Sequence, residues 1–167
     1  MNIDEKKEHL DALLDKHDIR NFEAWEFCQL THPDWEGPRE ALPEKEMLPN
    51  IIPAADITQI IRDVLGPLMY TSVYRPPRYN RMLPGASPTS NHKVFKAIDF
   101  RPPDYEEVSW SEFVGVSTSV VLTAMHNSIL TDGGKIGMFI YPDPDQGLPF
   151  IHVDYGAREE SIIRRID

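Results

Sequence analysis

The chain has 167 residues, of which 41% are hydrophobic and 26% charged, proportions of an ordinary globular protein that exclude a disordered chain or a fibre. Its apolar stretches fall short of the ~20 residues that a membrane span needs, so no membrane partner is expected. The formal net charge of −10, from 27 acidic residues against 17 Lys and Arg, repels phosphate backbones and predicts no nucleic-acid partner.

The first part of the chain is predicted to be helical. A helix is expected over residues 4–19, with Asp4 as its N-cap and an apolar stripe that includes Leu10 and Leu14. A short helix is expected over residues 21–30, with Phe22, Trp25 and Cys28 facing inward. Residues 31–54 are rich in proline and acidic residues without a period, which predicts a long surface loop. A third helix is expected over residues 56–65, ending at Gly66.

The second part is predicted to contain most of the strands. Strands are expected over residues 69–74, 94–100, 136–141 and 150–155, and a helix over residues 117–130. Proline-rich loops are expected over 75–91, 102–110 and 142–149, with a turn at Gly133-Gly134. This order favours an α+β fold, a single domain in which a small, mainly antiparallel sheet packs with helices.

Cys28 is the single cysteine, so the sequence predicts neither an internal disulfide nor a zinc site built from cysteines. The N-terminal residues lack the apolar core of 7–15 residues that a secretory signal requires. We therefore expect synthesis in the cytoplasm without a signal peptide. The sequence leaves the oligomeric state open.

Two of the six histidines lie in patterns that suit a metal site. His92 and Asp99 have a His-x6-Asp spacing, which covers about 23 Å when extended. Two ligands of one metal lie only ~3–4 Å apart, so the chain would have to fold back between them. His152 and Asp154 share one face of a predicted strand, either as a ligand with its orienting group, as a ligand with a base, or as a surface pair. The other histidines are assigned no role: His9, His17, His32 and His126.

Three ordered blocks of sequence resemble the zinc D-Ala-D-Ala carboxypeptidase family, the M15 peptidases. The stretch TSVYRPPRYN at residues 71–80 is similar to that family's S-G-Y-R-S-P-x-Y-N signature. The stretch GASPTSNHKVFKAIDF at residues 85–100 resembles its G-G-A-x-x-S-x-H and F-x-A-x-D-F patterns. GKIGMFIYP at 134–142 and FIHVD at 150–154 resemble its G-x-I-G-x-Y-P … F-V-H-V-D pattern. The resemblance spans about residues 48–156.

The resemblance implies a catalytic Zn²⁺ held by His92, Asp99 and His152, with the fourth position left for water. It also implies that Arg75 faces the substrate, where a guanidinium stabilises a developing oxyanion. Ser90 either hydrogen-bonds the substrate or shapes the ligand loop. The implied domain, similar in fold to the zinc DD-peptidases, covers residues 48–167, preceded by a helical and loop extension over residues 1–47.

The chain departs from the family pattern where a catalytic carboxylate is expected. Many relatives place Glu or Asp three positions before the last ligand histidine, whereas this chain has Pro149. Asp154 is the best replacement as general base, although it could instead only orient a ligand histidine. Asp143 and Asp145 on the adjacent loop are weaker candidates. Val73 and Pro76 replace the family's Gly and Ser, which leaves the metal ligands intact.

The first functional hypothesis is therefore a zinc metallopeptidase that hydrolyses peptidoglycan stem peptides or their cross-links, as a carboxypeptidase or an endopeptidase. A second is a domain that keeps the fold and metal but has lost catalysis, with a wall-binding or structural role, for example in a phage virion. A non-haem iron oxygenase is disfavoured, because no histidine follows His152 as its usual ligand order requires. Release by phage lysis or carriage in a virion would bring the protein to the cell wall.

Overall fold

The computed structural model describes residues 1–103, 107–126, 135–142, 148–156 and 160–166. Within them the chain forms a five-stranded mixed sheet and four α-helices, which confirms the predicted α+β fold. The helices are α1 (Ile3–Lys16), α2 (Ile52–Leu65), α3 (Pro77–Met82) and α4 (Trp110–His126). The strands are β1 (Met69–Ser72), β2 (Ala97–Arg101), β3 (Lys135–Tyr141), β4 (Phe150–Gly156) and β5 (Ile162–Arg165).

Helices α1 and α2 confirm two predicted helices but correct where each begins. Asn2, and not Asp4, caps α1, because its side chain accepts from the Glu5 amide while the Glu5 carboxylate accepts from the Asn2 amide. Helix α2 begins at Ile52, four residues before the predicted start, with a proline in its first turn. Gly66 ends it as predicted, with a φ of 87° that favours glycine.

The segment between α1 and α2 is more ordered and more buried than predicted. The helix expected over residues 21–30 is only a 3-10 helix, Ala24–Phe27, and Trp25 is 52% exposed instead of facing inward. Residues 31–54 were expected to form a surface loop, yet they include a 3-10 helix, Lys45–Ile51. Leu42 and Leu48 are buried in the main core. Buried apolar residues without a period leave no helical or strand signature in sequence.

One α-helix and one strand were missed, and further element boundaries differ from the prediction. Helix α3 lies within the loop expected over residues 75–91, because Pro77 has the fixed φ that suits a first helical turn. Strand β5 lacks an alternating pattern and pairs parallel to β3. Strand β1 ends at Ser72 instead of residue 74, and β2 begins at Ala97 instead of residue 94. Helix α4 begins at Trp110, seven residues before the predicted start. Residues 127–130 of the expected helix, the Gly133-Gly134 turn and residues 143–147 lie outside the described residues.

The sheet has the strand order β1-β2-β4-β3-β5 and is antiparallel except between β3 and β5. Its two faces differ because side chains alternate along each strand. One face carries the apolar residues that pack with α2 and α4 in the main core, among them Ile98, Phe100, Met138, Ile151 and Val153. Asp99, His152 and Asp154 lie on the opposite face. None of the described helices is long and apolar enough to cross a bilayer.

Cys28 is expected to react slowly with thiol reagents while the protein is folded. The side chain is fully buried, and burial raises the pKa of its thiol to about 11. The reactive thiolate at pH 8 is then about 100-fold scarcer than for an ordinary cysteine. Iodoacetamide labelling followed by mass spectrometry should give little adduct in buffer and rapid labelling in urea. Equal rates in both solutions would contradict the buried position of Cys28.

Candidate metal centre

Three donor atoms converge on the open face of the sheet. The nearest nitrogens of His92 and His152 and a carboxylate oxygen of Asp99 all lie within 4.8 Å of one another. His152 Nδ1 is 2.7 Å from Asp99 Oδ1, and His92 Nε2 is 3.2 Å from both of these atoms. Two imidazoles and one carboxylate form the donor set of many catalytic zinc sites.

The sheet positions Asp99 and His152, since β2 and β4 pair these two residues directly across the ladder. Directly paired residues project from the same face of a sheet, which explains their close contact. His92 comes from the short 3-10 helix Asn91–Val94, followed by Phe95 in the left-handed conformation with a φ of 57°. This tight reversal folds the chain back between His92 and Asp99, as the His-x6-Asp spacing required.

The outer nitrogens of both imidazoles are hydrogen-bonded, and these bonds orient the rings. His92 Nδ1 is 2.8 Å from the carbonyl oxygen of Val73, which can only accept, so Nδ1 carries a proton. The Nε2 of His92 therefore faces the cluster with a lone pair. His152 Nε2 is 3.1 Å from a carboxylate oxygen of Asp154, so its Nδ1 is the atom directed at Asp99. Such outer contacts are typical of metal-ligating histidines.

Electrostatics also favour a cation between the three donors. Burial raises the pKa of Asp99, but His92, Arg75 and His152 outweigh it and hold the pKa well below its usual value. Burial lowers the pKa of His92, more than Asp99 raises it, so the ring is neutral at pH 7. Burial also disfavours charge on His152, yet the hydrogen bonds that its ring donates to Asp154 and Asp99 raise its pKa to about 9. A metal ion held here would displace that proton.

Arg75 lies beside the donors, and its side chain is paired with Asp99. Its guanidinium forms an ion pair with Asp99 Oδ2, the oxygen that does not face the histidines. Its Nε donates to Ser72 Oγ at 2.7 Å, and its backbone amide donates to the carbonyl of His92 at 3.2 Å. The geometry thus supports a role for Arg75 in fixing the orientation of Asp99. Its predicted contact with substrate stays a prediction.

A cleft of about 350 Å³ opens beside the donor cluster. Arg75 and Asp99 form part of its wall, together with Thr71 and Ser72 of β1. Its remaining described lining comes from separate parts of the chain: Thr31, His32, Tyr79, Leu83, Arg101, Leu148 and Phe150. The cleft is the space next to the metal donors in which a substrate of modest size can lie.

The contacts of Ser90 and Asp154 indicate which of their two predicted roles the structure supports. Ser90 caps the 3-10 helix that carries His92, and its hydroxyl accepts from the His92 amide at 3.4 Å, which supports the loop-shaping alternative. Asp154 is buried and contacts the outer nitrogen of His152, which supports the orienting alternative. Asp143 and Asp145 lie outside the described residues.

Sequence reasoning missed two contributors to the cleft, Thr31 and His32. They precede residue 47 and reach the site because the His32 amide donates to the hydroxyl of Tyr79, on α3, at 3.1 Å. No local pattern in the sequence marks such a contact, since 47 positions separate the two residues. The boundary predicted at residue 47 stays a prediction.

Replacing Asp154 with asparagine should weaken zinc binding by about 10–100-fold, because an amide supports the imidazole of His152 less strongly than a carboxylate. Competition with a chromophoric zinc chelator measures this affinity, and Asp15→Asn, at an exposed position of α1, is the matched control. If Asp154 served as the general base and not as an orienting group, the variant would keep its zinc affinity and lose only kcat.

Comparison with known proteins gives one match. A family model described as Peptidase M15 matches residues 30–129, which include His92 and Asp99. No curated protein and no solved structure matches the chain significantly. The match ends before His152, which the pairing of β4 with β2 places opposite Asp99.

Proposed function

The chain belongs to the peptidase M15 family, and we propose on this basis that it is a zinc peptidase that hydrolyses peptide bonds in peptidoglycan stem peptides or cross-links. One observation carries the proposal, namely the convergence of His92 Nε2, His152 Nδ1 and Asp99 Oδ1 within 4.8 Å. Without a metal, a proton on His152 lies between these atoms, and a divalent cation bound there would take the place of that proton. The open cleft beside them gives a peptide access to that cation.

The residues of the chain have distinct tasks in this proposal. His92, Asp99 and His152 hold zinc, which when bound lowers the pKa of a water molecule and polarises the scissile carbonyl. Val73 and Asp154 fix the two imidazole rings through their outer nitrogens. Arg75 holds Asp99 by its second oxygen and adds positive charge near the developing oxyanion.

Hydrolysis also needs a general base that accepts a proton from the water. The family pattern places a carboxylate for this task at the position of Pro149. Among the described residues that line the cleft, Asp99 is the one carboxylate. In this proposal one of its oxygens binds the metal, and the other forms an ion pair with Arg75. Asp154 lies behind His152, with its Oδ2 on the imidazole. Asp154 could accept a proton from the water only after a change of side-chain rotamer, because the metal-bound Nδ1 of His152 has no lone pair with which to relay one.

Pro149 also supports a second candidate function, a domain that binds zinc and cell wall without cleaving it. A proline has no group that can accept a proton, so a missing base would leave binding intact and slow hydrolysis. The two candidate functions differ only in whether bound peptidoglycan is cleaved, and one experiment distinguishes them.

Zinc-loaded protein should be incubated with purified peptidoglycan fragments, and the products analysed by liquid chromatography and mass spectrometry. The peptidase proposal expects new peptide ends, their loss with a chelator, and none with His92→Ala. Sedimentation of the zinc-loaded protein with intact wall material but without new ends would favour the binding module. Absence of both cleavage and wall binding would contradict both candidates.

A further inference from the structure

Phe95 has a backbone conformation that a bulky residue rarely adopts. Its φ of 57° and ψ of 44° lie in the left-handed region, where the Cβ atom of an L-residue crowds the following carbonyl oxygen. Among the described residues the other non-glycine residue with a positive φ is Asp18, which is exposed and of a type that tolerates this region. Such a strained conformation persists only where surrounding contacts hold it, and it is common at functional sites.

The left-handed residue lies between two of the metal donors in the chain. His92 is three residues before Phe95, and Asp99 is four residues after it. The 3-10 helix that carries His92 ends at this point, where the amide of Lys96 donates to the carbonyl of Asn91 at 3.0 Å, as in helices that end at a left-handed residue. Rotation of the backbone at Phe95 would move His92 relative to Asp99. The distance of 3.2 Å between His92 Nε2 and Asp99 Oδ1 therefore depends on this conformation.

Two aromatic rings hold the side chain of Phe95, which is fully buried. Tyr74 meets it edge-to-face with ring centroids 6.0 Å apart, and Phe27 meets it at 6.5 Å. These separations lie in the range of attractive aromatic pairs. Phe27, from the segment before α2, also contacts Tyr70 of β1, with ring centroids 5.1 Å apart. Because the backbone dihedrals set the direction of the Cα–Cβ bond, a return of Phe95 to negative φ would move its ring out of these contacts.

We propose that Phe95 is a positioning residue for the metal centre. Phe27 and Tyr74 hold its ring, and the left-handed backbone that results directs His92 Nε2 at the other two donors. This inference rests on the proposed zinc peptidase function and deepens it, since it gives the segment before α2 a part in metal binding. A merely structural role would require only that the ring of Phe95 fill the core. The two roles differ in how zinc binding responds to the backbone preference of the residue at this position.

The test compares Phe95→Ala with Phe95→Gly in the full chain, with the zinc affinity measured by competition with a chromophoric chelator. Both substitutions empty the same space, but glycine adopts the left-handed region freely and alanine does not. Phe95→Gly should lose about twofold in affinity, since glycine populates positive and negative φ about equally. Phe95→Ala should bind zinc about 5–30-fold more weakly than Phe95→Gly. A role in packing alone predicts that glycine is no better than alanine, and that result would overturn the inference.

A second pair of variants tests the contact between Phe27 and Phe95. Phe27→Leu keeps an apolar side chain but removes the ring, and should weaken zinc binding by about 2–10-fold. The same substitution added to Phe95→Gly should have no further effect, because the ring that Phe27 holds is absent there. Phe113→Leu, an equivalent exchange at a buried ring of α4, is the matched control. If the Phe95 variants do not fold, weaker binding by Phe27→Leu than by Phe113→Leu would support the inference, and equal binding would overturn it.

A measurement on the zinc-free protein separates this inference from the proposed function. The Nδ1–H of His92 donates to the carbonyl of Val73 and should give a slowly exchanging imidazole N–H signal in the NMR spectrum of protein with isotope-labelled histidine. The signal should be lost in Phe95→Ala and retained in Phe95→Gly. That pattern in a protein that binds no zinc would sustain the positioning of His92 and overturn the zinc peptidase function. Zinc binding and signals that do not differ between the two variants would overturn the inference alone. Absence of both the pattern and zinc binding would overturn both.

Discussion

Replacing His92 with alanine should abolish stoichiometric zinc binding, with a loss of affinity of more than about 100-fold. Loss of a group that merely supports a ligand histidine costs 10–100-fold, and removal of the ligand itself costs more. His92 is 1% exposed and its Nε2 faces both other donors, so no neighbouring side chain can take its place without rearrangement. Dialysed protein should hold about one zinc per chain in the wild type and none in the variant, as measured by plasma mass spectrometry.

The matched control is His126→Ala, because His126 is an exposed histidine at the end of α4 and should leave the zinc content unchanged. Since His92 is buried, the circular dichroism spectrum of the variant must show that it folds. His152→Gln provides a second test at a residue that contacts Asp99 from a different strand. Full zinc content in both folded variants would contradict the assigned ligand set.

Replacing Phe100 with alanine should lower the free energy of unfolding by about 3–5 kcal/mol, the usual cost of emptying the space of a buried phenylalanine. The ring is fully buried on the helix-covered face of β2 and contacts Phe113 of α4 edge-to-face, with ring centroids 5.7 Å apart. For a domain of this size the melting temperature should fall by roughly 6–20 °C. Urea unfolding followed by circular dichroism measures the change.

Leu122→Ala is the matched control for this prediction, because Leu122 is 53% exposed on α4 and its truncation should cost about 0.5 kcal/mol or less. Phe100 and Asp99 are neighbours on β2 but face opposite sides of the sheet. The Phe100→Ala variant should therefore bind zinc with unchanged stoichiometry below its melting temperature. A stability within 1 kcal/mol of the wild type would contradict the central place of Phe100 in the core.

The parts of the structure that were predicted correctly depend on local patterns. The strand that carries His152 and Asp154 alternates with a period of two, so their shared face follows from the backbone alone. The helix that ends at Gly66 has an apolar stripe and a glycine stop signal. The three metal donors were found through the family resemblance, since the His-x6-Asp spacing did not by itself show that the chain folds back.

The parts that were missed depend on contacts between distant segments. The ion pair of Arg75 with Asp99 was not predicted, because it becomes visible only when the end of β1 lies beside β2. His32 was assigned no role, and it lines the cleft only because Tyr79 accepts a hydrogen bond from its amide. Helix α3 was read as loop because proline both interrupts strands and begins helices, and neighbouring residues decide between the two.

The most direct test of the metal centre is X-ray absorption spectroscopy at the zinc edge of the zinc-loaded protein. His92, His152 and Asp99 predict a first coordination shell of nitrogen and oxygen at about 2.0–2.2 Å, with the outer-shell scattering of two imidazoles. The same spectrum of His92→Ala, recorded after equal zinc exposure and dialysis, should show no bound zinc. A sulfur ligand at about 2.3 Å, a shell without imidazole, or an unchanged spectrum in the variant would contradict the account.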